Sequence, residues 1–518
     1  MRRILQSDYF YPIIILLICL WRIFTPQLPS NEGLGWDGYR YYSVALDALK
    51  SRELDTYLVF RIFPSLFVHA ILSLARIEID PAHVILGFKL MNLVLLTLSA
   101  LMVRRIFSLY RLSSAAQLIG FIIIYMNYGV LNFTFYYPVM TDTPTFFLSV
   151  ALFYFFTTGQ LMNVLLIGLI GAFTWPVLFP MALALLLFPN KPVAFMPVSN
   201  RLLYTMCSLS LAYGLCMAFY LIFIRHETAD MKYTLPISYE LLPFTFIGIG
   251  FLFFFIPCIF CNKLFFTAAY YKSLFSLKRI VAAVIMLALF IIVRSMLHVP
   301  STAYMTVYSL VRTHFIYALQ RPFTTFVNHF NYYGVGVLII LIFWKRFSAF
   351  ISTFGLGVAA AIFVNLFFFS MKPESRAQIH HFPWLLILIS LYIGKYRFTD
   401  SFYAFVIILN IILARLWFFF EFSFDNYPVL PDSTICFPEQ WFFMNLGMYM
   451  TASVWLGMFI ITIVCIIVLT FIVYSIKFEN GSIVFYPKFQ LITETPGVEE
   501  FQEQLPEADT PGARDLRL

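Results

Sequence analysis

Apolar residues along this chain run in unbroken blocks, and the polar residues gather between the blocks instead of alternating with them. The blocks recur from residue 9 to residue 476, with no polar stretch between them long enough to form a separate globular unit. A helix that crosses a bilayer needs about 20 apolar residues, and fewer where neighbouring helices shelter it. That rule predicts spans at 9–24, 83–103, 115–133, 145–156, 161–188, 202–224, 242–260, 280–297, 332–344, 347–370, 382–393, 402–420 and 451–476.

The block 161–188 is too long for one crossing and carries Pro176 at its centre, where a proline breaks or kinks a helix. Reading it as two short helices puts Lys191, Arg201, Lys263, Lys272, Lys278, Arg279, Lys345, Arg346, Lys395, Arg397 and Lys477 all on the cytoplasmic side. Read as one span, it would put that whole set outside. The expectation is therefore an all-α fold: a polytopic bundle of about 12 to 14 spans with both termini cytoplasmic. The first block follows Arg2 and Arg3 and has no small-residue cleavage site after it, so it reads as an uncleaved first span. Residues 1–476 form the membrane domain, and 477–518 form a cytoplasmic tail that loses its apolar content and reads as disordered past about residue 494.

Five polar segments are exported by this topology: 25–81, 225–240, 300–331, 371–381 and 421–446. The first is the longest and most charged. Within it, 63–74 is too short to cross, and Arg104 and Arg105 must stay inside, so it is expected to be a juxtamembrane helix at the outer interface.

Composition supports the membrane reading and narrows the chemistry. Of 518 residues, 61% are hydrophobic and 12% charged, with a mean hydropathy of +0.85, against roughly a quarter charged in soluble domains. The net charge of +8 comes from Lys and Arg at the ends of apolar blocks, which marks topology and not a nucleic-acid surface. Cys258 and Cys261 form a CxxC with no second pair or nearby His to complete a zinc site, so buried small residues are the better reading. Among the seven cysteines only Cys436 falls in a long outer segment, so a disulfide framework is not expected. No HExxH, GxSxG, P-loop, GxGxxG or paired DxD occurs in a supporting context. A catalytic metal, a bound cofactor, a serine hydrolase and an ATP-driven transporter are accordingly not expected.

The candidate chemistry lies in the outer segments. Trp36-Asp37-Gly38-Tyr39-Arg40-Tyr41 places a carboxylate near the membrane surface among aromatics, and a helix starting at Asp37 puts Arg40 and Tyr41 on its face. Asp37 is then either a base that meets a headgroup or simply the N-cap of that helix. Arg61, ahead of Phe63-Pro64, either binds a phosphate or snorkels to the headgroups. Asp142, after Met140-Thr141, either caps the helix that follows Pro144 or binds substrate. Lys372, Glu374, Arg376, Gln378, His380 and His381 crowd one short segment; Arg and His together suit a phosphate-bearing ligand, and the alternative is a solvated hairpin loop. Arg294, His298, Arg312 and His314 are weaker candidates for the same cavity, and Arg415 must be paired or face water.

The order of these pieces resembles the GT-C superfamily of membrane glycosyltransferases, which take a sugar from a polyprenyl or dolichyl phosphate. The likeness rests on Trp36-Asp37 with Tyr41-Tyr42 after the first span, Arg61 to Pro64 opening a juxtamembrane helix, Arg104-Arg105 closing the second span, Thr141-Asp142 before the fourth, and the late His380-His381-Phe382-Pro383. The Trp-Asp…Tyr and Phe-Pro pieces are similar to the GPI-anchor mannosyltransferases and their bacterial relatives. One departure is Gly38, where many relatives carry a second acid.

What the resemblance implies is an inverting, metal-independent sugar transfer on the extracytoplasmic face, from a lipid-phosphate-linked donor to a lipid, glycan or protein acceptor. Asp37 is the implied catalytic base; Arg40, Tyr41, Arg61, Asp142, Arg376, His380 and His381 are the implied substrate-binding residues, with Arg61, Arg376 and the two histidines on the departing phosphate. The partners are membrane lipids, and no nucleic acid. Two other readings stand beside it: a lipid-linked substrate transporter or flippase, with Arg294, Arg415 and the break at Pro176 along its path, and a non-catalytic membrane assembly factor. Short outer segments with almost no glycosylation acceptor favour a cell (inner) membrane over the endoplasmic reticulum.

Overall fold

A computed structural model gives the fold and describes residues 7–25, 27–28, 31–48, 56–227, 236–297, 307–416, 450, 452–479 and 482–492. The predicted segment 421–446, with Cys436, and also His298 and the tail past 492 lie outside the described residues.

The chain begins with α1 (Phe10–Ile23), α2 (Trp36–Asp47) and α3 (Phe63–Leu74), followed by the long α4 (Pro81–Leu109). Local sequence explains where α4 starts: Pro81 occupies its first turn, where its missing N–H costs nothing, and the Asp80 carboxylate accepts from the His83 N–H at 2.7 Å. Next come α5 (Ser114–Tyr125), a bend of 62° into 128–136, then α6 (Asp142–Thr157), α7 (Leu161–Ala172) and α8 (Leu178–Leu187). The break at Pro176 thus falls where its sequence predicts. The two halves fold back on each other, and Gly168 permits the contact, since a Cβ there would sit 2.6 Å from that of Ala182.

The second half holds α9 (Asn200–Phe219), α10 (Leu242–Phe255), α11 (Leu277–Met296), α12 (Val307–Leu319), α13 (Thr324–Tyr333), α14 (Val335–Ser352), α15 (Leu356–Phe369), α16 (Phe382–Ile393), α17 (Asp400–Ala414) and α18 (Ala452–Val473). Among the described residues six helices are long and apolar enough to cross a membrane, seven if the bent pair at 114–136 is one span, and further apolar helices are shorter. The protein is a multi-pass helical bundle.

Two expected boundaries are corrected. Lys345-Arg346 does not separate two spans, because α14 runs through both residues to Ser352 and the chain turns at Gly355, whose φ is +91°. Lys and Arg are good helix formers, so charge at a membrane surface need not end a helix. The last span stops at Val473, short of residue 476, and β2 (Tyr474–Glu479) pairs antiparallel with β3 (Ser482–Pro487), from Tyr474 opposite Pro487 to Glu479 opposite Ser482. β4 (Gln490–Leu491) then pairs with β1 (Tyr396–Arg397), so the start of the tail is ordered against the bundle.

One core joins α1, α4 to α8, α14 and α16, with Trp384 fully buried in it. α1 lies along α4, α4 along α6, and α16 against α5 and α14. By contrast α11 exposes Val281, Val284, Ile285, Ile291 and Ile292. Burying such a side chain is worth about 1.5–3 kcal/mol against leaving it in water, so this face belongs in lipid.

Candidate functional site

α2 sets the first carboxylate. Its N-cap is Gly35 (φ +71°), where a Cβ would strike the Tyr137 ring, so the chain enters the helix through a position that only glycine fits. Asp37 is consequently the second residue of the helix and not its cap. The Asp37 and Gly38 N–H groups both donate to the Tyr137 hydroxyl, at 2.7 and 3.2 Å, which leaves the carboxylate side chain aimed elsewhere. A negative charge is favoured at this end of a helix.

Asp37 Oδ2 accepts from the Tyr57 hydroxyl at 3.2 Å and from Arg376 Nη2 at 3.0 Å. Asp37 and Arg376 are 339 residues apart in sequence. Arg376 also donates from Nε to Glu374 Oε1 at 3.1 Å, and its Nε lies 3.8 Å from Asp142 Oδ1. Lys372 closes the group with Nζ 2.8 Å from Glu374 Oε2. Arg376 therefore stands between three carboxylates. Burial opposes ionisation of Glu374, but Lys372 and Arg376 outweigh it and hold the carboxyl well below the usual carboxylate range. The segment 371–381 is no solvated hairpin: Gln378, His380 and His381 are fully buried.

Asp142 is not a cap either. Thr141 holds the N-cap position of α6, and neither buried Asp142 oxygen accepts a hydrogen bond among the described residues. Its nearest cation is Arg376.

Arg61 sits in an aromatic stack, its guanidinium 4.3 Å from the Tyr57 ring centre and 3.8 Å from that of Trp175. Arg40 covers Tyr57 at 4.9 Å. Arg61 reaches the Tyr41 hydroxyl at 3.4 Å but forms no ion pair with a carboxylate among the described residues. Tyr41 in turn lies 3.1 Å from the Tyr57 hydroxyl. The arrangement holds the guanidinium of Arg61 against the two aromatic rings.

The histidines stand behind this layer. His380 Nδ1 lies 3.1 Å from both Trp175 Nε1 and the Ala377 carbonyl; the indole N–H can only donate, and Asn365, whose amide nitrogen donates to the Ala361 carbonyl, turns its Oδ1 to His380 Nε2 at 2.6 Å, so Nδ1 accepts and the proton sits on Nε2. Both ring nitrogens of His380 are committed to protein groups, which corrects the expectation that it grips a phosphate: it braces Trp175. His381 faces away from Asp37, toward an apolar cavity beside α14. The structure thus brings Asp37, Arg40, Tyr41, Arg61, Asp142 and Arg376 together and sets His380 and His381 outside that group.

The weaker candidates lie elsewhere. Arg312 pairs with Glu227, His314 Nδ1 meets the Phe368 carbonyl at 2.8 Å, and Arg294 donates to the Leu297 carbonyl at 3.2 Å. Arg415 is buried with its guanidinium 5.1 Å from the Tyr128 ring centre. Among the described residues no three His, Cys, Asp or Glu side chains group to hold a metal ion.

Sequence reasoning missed Tyr57, Tyr137, Trp175 and the part Glu374 plays. Trp175 had a signal in its place before Pro176, since the proline ring drives the residue ahead of it out of the helical conformation. Tyr57 and Tyr137 had none, because aromatics abound throughout the chain. Comparison with protein-family models, with curated proteins and with solved structures finds no match to this chain.

Proposed function

We propose that this protein is a metal-independent membrane glycosyltransferase that moves a sugar from a lipid-phosphate donor to an acceptor hydroxyl, with inversion. One observation carries the reading: a partly exposed carboxylate, Asp37, is held by Arg376 and Tyr57 beside a second cation, Arg61, that pairs with no carboxylate among the described residues. Among the described residues both side-chain bonds to the Asp37 carboxylate go to Oδ2, which leaves Oδ1 for an incoming hydroxyl.

In this reaction the acceptor hydroxyl gives its proton to Asp37 Oδ1 as its oxygen bonds to the anomeric carbon. The bond from that carbon to the phosphate oxygen breaks, and the lipid phosphate departs with the electron pair. Negative charge grows on the leaving oxygen, where a preorganised cation is worth most. Arg61 fits that task better than Arg376, which is already shared among Glu374, Asp37 and Asp142. Arg376 instead fixes the base and fills the space between the three acids that a divalent ion would need.

The test is transfer from a radiolabelled polyprenyl-phosphate sugar by protein reconstituted in vesicles. A positioned general base contributes about 10²- to 10⁴-fold, so Asp37→Asn is expected to slow transfer by at least about 100-fold while donor still binds. Arg61→Ala is expected to weaken donor binding as well. Full transfer by Asp37→Asn, or donor movement across the vesicle without transfer by the wild type, would overturn the proposal.

A further inference from the structure

The sugar-transfer reading leaves unused a cavity of about 360 Å³ between α10, α13, α14, α15 and α16, within the 300–1,000 Å³ typical of small-molecule sites. Phe251, Phe255, Val337, Ile340, Leu366 and Leu385 make its walls. From Val337 to Lys345 it follows α14 for eight residues, about 12 Å at 1.5 Å per residue. At one end His329 and His381 face it from behind the segment that carries Arg376, and Lys345 lies at the other.

The protonation of that end follows from its bonds. Because His380 carries its proton on Nε2, the His381 Nδ1 that lies 3.3 Å away can only accept, so the His381 proton sits on Nε2. That N–H is fully buried and has no acceptor among the described residues. A buried donor without an acceptor costs free energy, and here it lines a cavity large enough to supply one. No Lys or Arg lies among the lining residues at this end, so an anionic group would be uncompensated; Lys345 lies at the other. A hydroxyl could also donate to His329 Nε2, the other unpartnered atom at this end, but an ester carbonyl is the acceptor that bilayer lipids present next to a long apolar chain. A carbonyl oxygen accepts only.

We propose that this cavity binds one acyl chain of a membrane lipid, with the ester carbonyl accepting from His381 Nε2–H and the chain running along α14 toward Lys345. The site is separate from the acid and arginine cluster, and it stands whether or not the chain transfers sugar. Its occupant underlies the segment 371–381, which positions Arg376.

Photolabelling tests it. Protein reconstituted in phosphatidylcholine vesicles that contain a phosphatidylcholine with a diazirine on one acyl chain is irradiated, and the adducts are mapped. Adducts are expected on the cavity walls, in 337–345 and near Leu366, as well as on the lipid-facing helix α11. Leu366→Trp, which fills the cavity, is expected to remove the first set and spare the second. His381→Phe is expected to reduce the first set by up to about tenfold at low probe density, the worth of one hydrogen bond. Wild-type adducts confined to α11, cavity adducts that survive Leu366→Trp, or displacement by a long-chain isoprenoid alcohol but not by excess phosphatidylcholine would each overturn the assignment. The wild-type map decides on its own if a variant does not fold.

Discussion

Arg376 is the residue on which the cluster turns. Its fork reaches Glu374 and Asp37 and lies near Asp142, and removing one partner of a buried ion pair costs about 3–5 kcal/mol because the others are left as uncompensated charges. Arg376→Gln is therefore expected to lower the thermal unfolding temperature in detergent sharply. Arg376→Lys keeps the charge but loses the fork, and is expected to keep most of the stability while transfer falls as far as in the Gln variant. Equal stability for wild type and Arg376→Gln would show that the three acids do not depend on it. At this scale the sequence marked Asp37, Arg61, Asp142 and Arg376 as polar groups stranded beside apolar blocks, which is a local property. It could not separate Arg376 from His380, since both sit in one short segment, and which of them meets Asp37 is decided by Trp175 and Asn365 arriving from other helices.

At the scale of elements, proline and glycine marked some breaks well. Pro176 divides α7 from α8, and Gly35 opens α2 at a positive φ. Gly35→Ala meets both a strained backbone and the Tyr137 ring, and is expected to cost about 1–3 kcal/mol, read as a lower unfolding temperature. It should also weaken the grip of Tyr137 on the first turn, so transfer should fall even where the protein still folds. An unaffected variant would mean that the entry to α2 tolerates a side chain. Charge was a poorer boundary signal than backbone chemistry, since Lys345 and Arg346 lie inside α14. The hairpin after α18 was legible in principle: Asn480-Gly481 falls between alternating apolar residues, a strong two-residue turn signal, but the expectation of a polar tail masked it.

For the whole molecule, burial of neutral histidine links stability to pH. Burial, with Arg61 and Lys372 nearby, lowers the His380 value from about 6.5 to about 3 in the folded protein. The unfolded chain then binds the extra proton first as pH falls. Stability is expected to be flat with respect to this group above about 6.5 and to drop as pH falls from about 6.5 toward about 3. Unfolding temperatures measured across that range should show a shallower slope for His380→Asn than for wild type. The same slope in both would mean that His380 is not held neutral.

That this chain lives in a membrane was written in its local composition, because several of the apolar blocks are long enough to span a bilayer on their own. The sequence also placed the candidate residues in the segments between the blocks. Only the tertiary structure decided that Asp37 meets Arg376 across 339 residues, that Arg61 lies between two aromatic rings, and that His381 faces a cavity instead. Those pairings depend on how helices far apart in the chain pack together, and no local pattern encodes that choice.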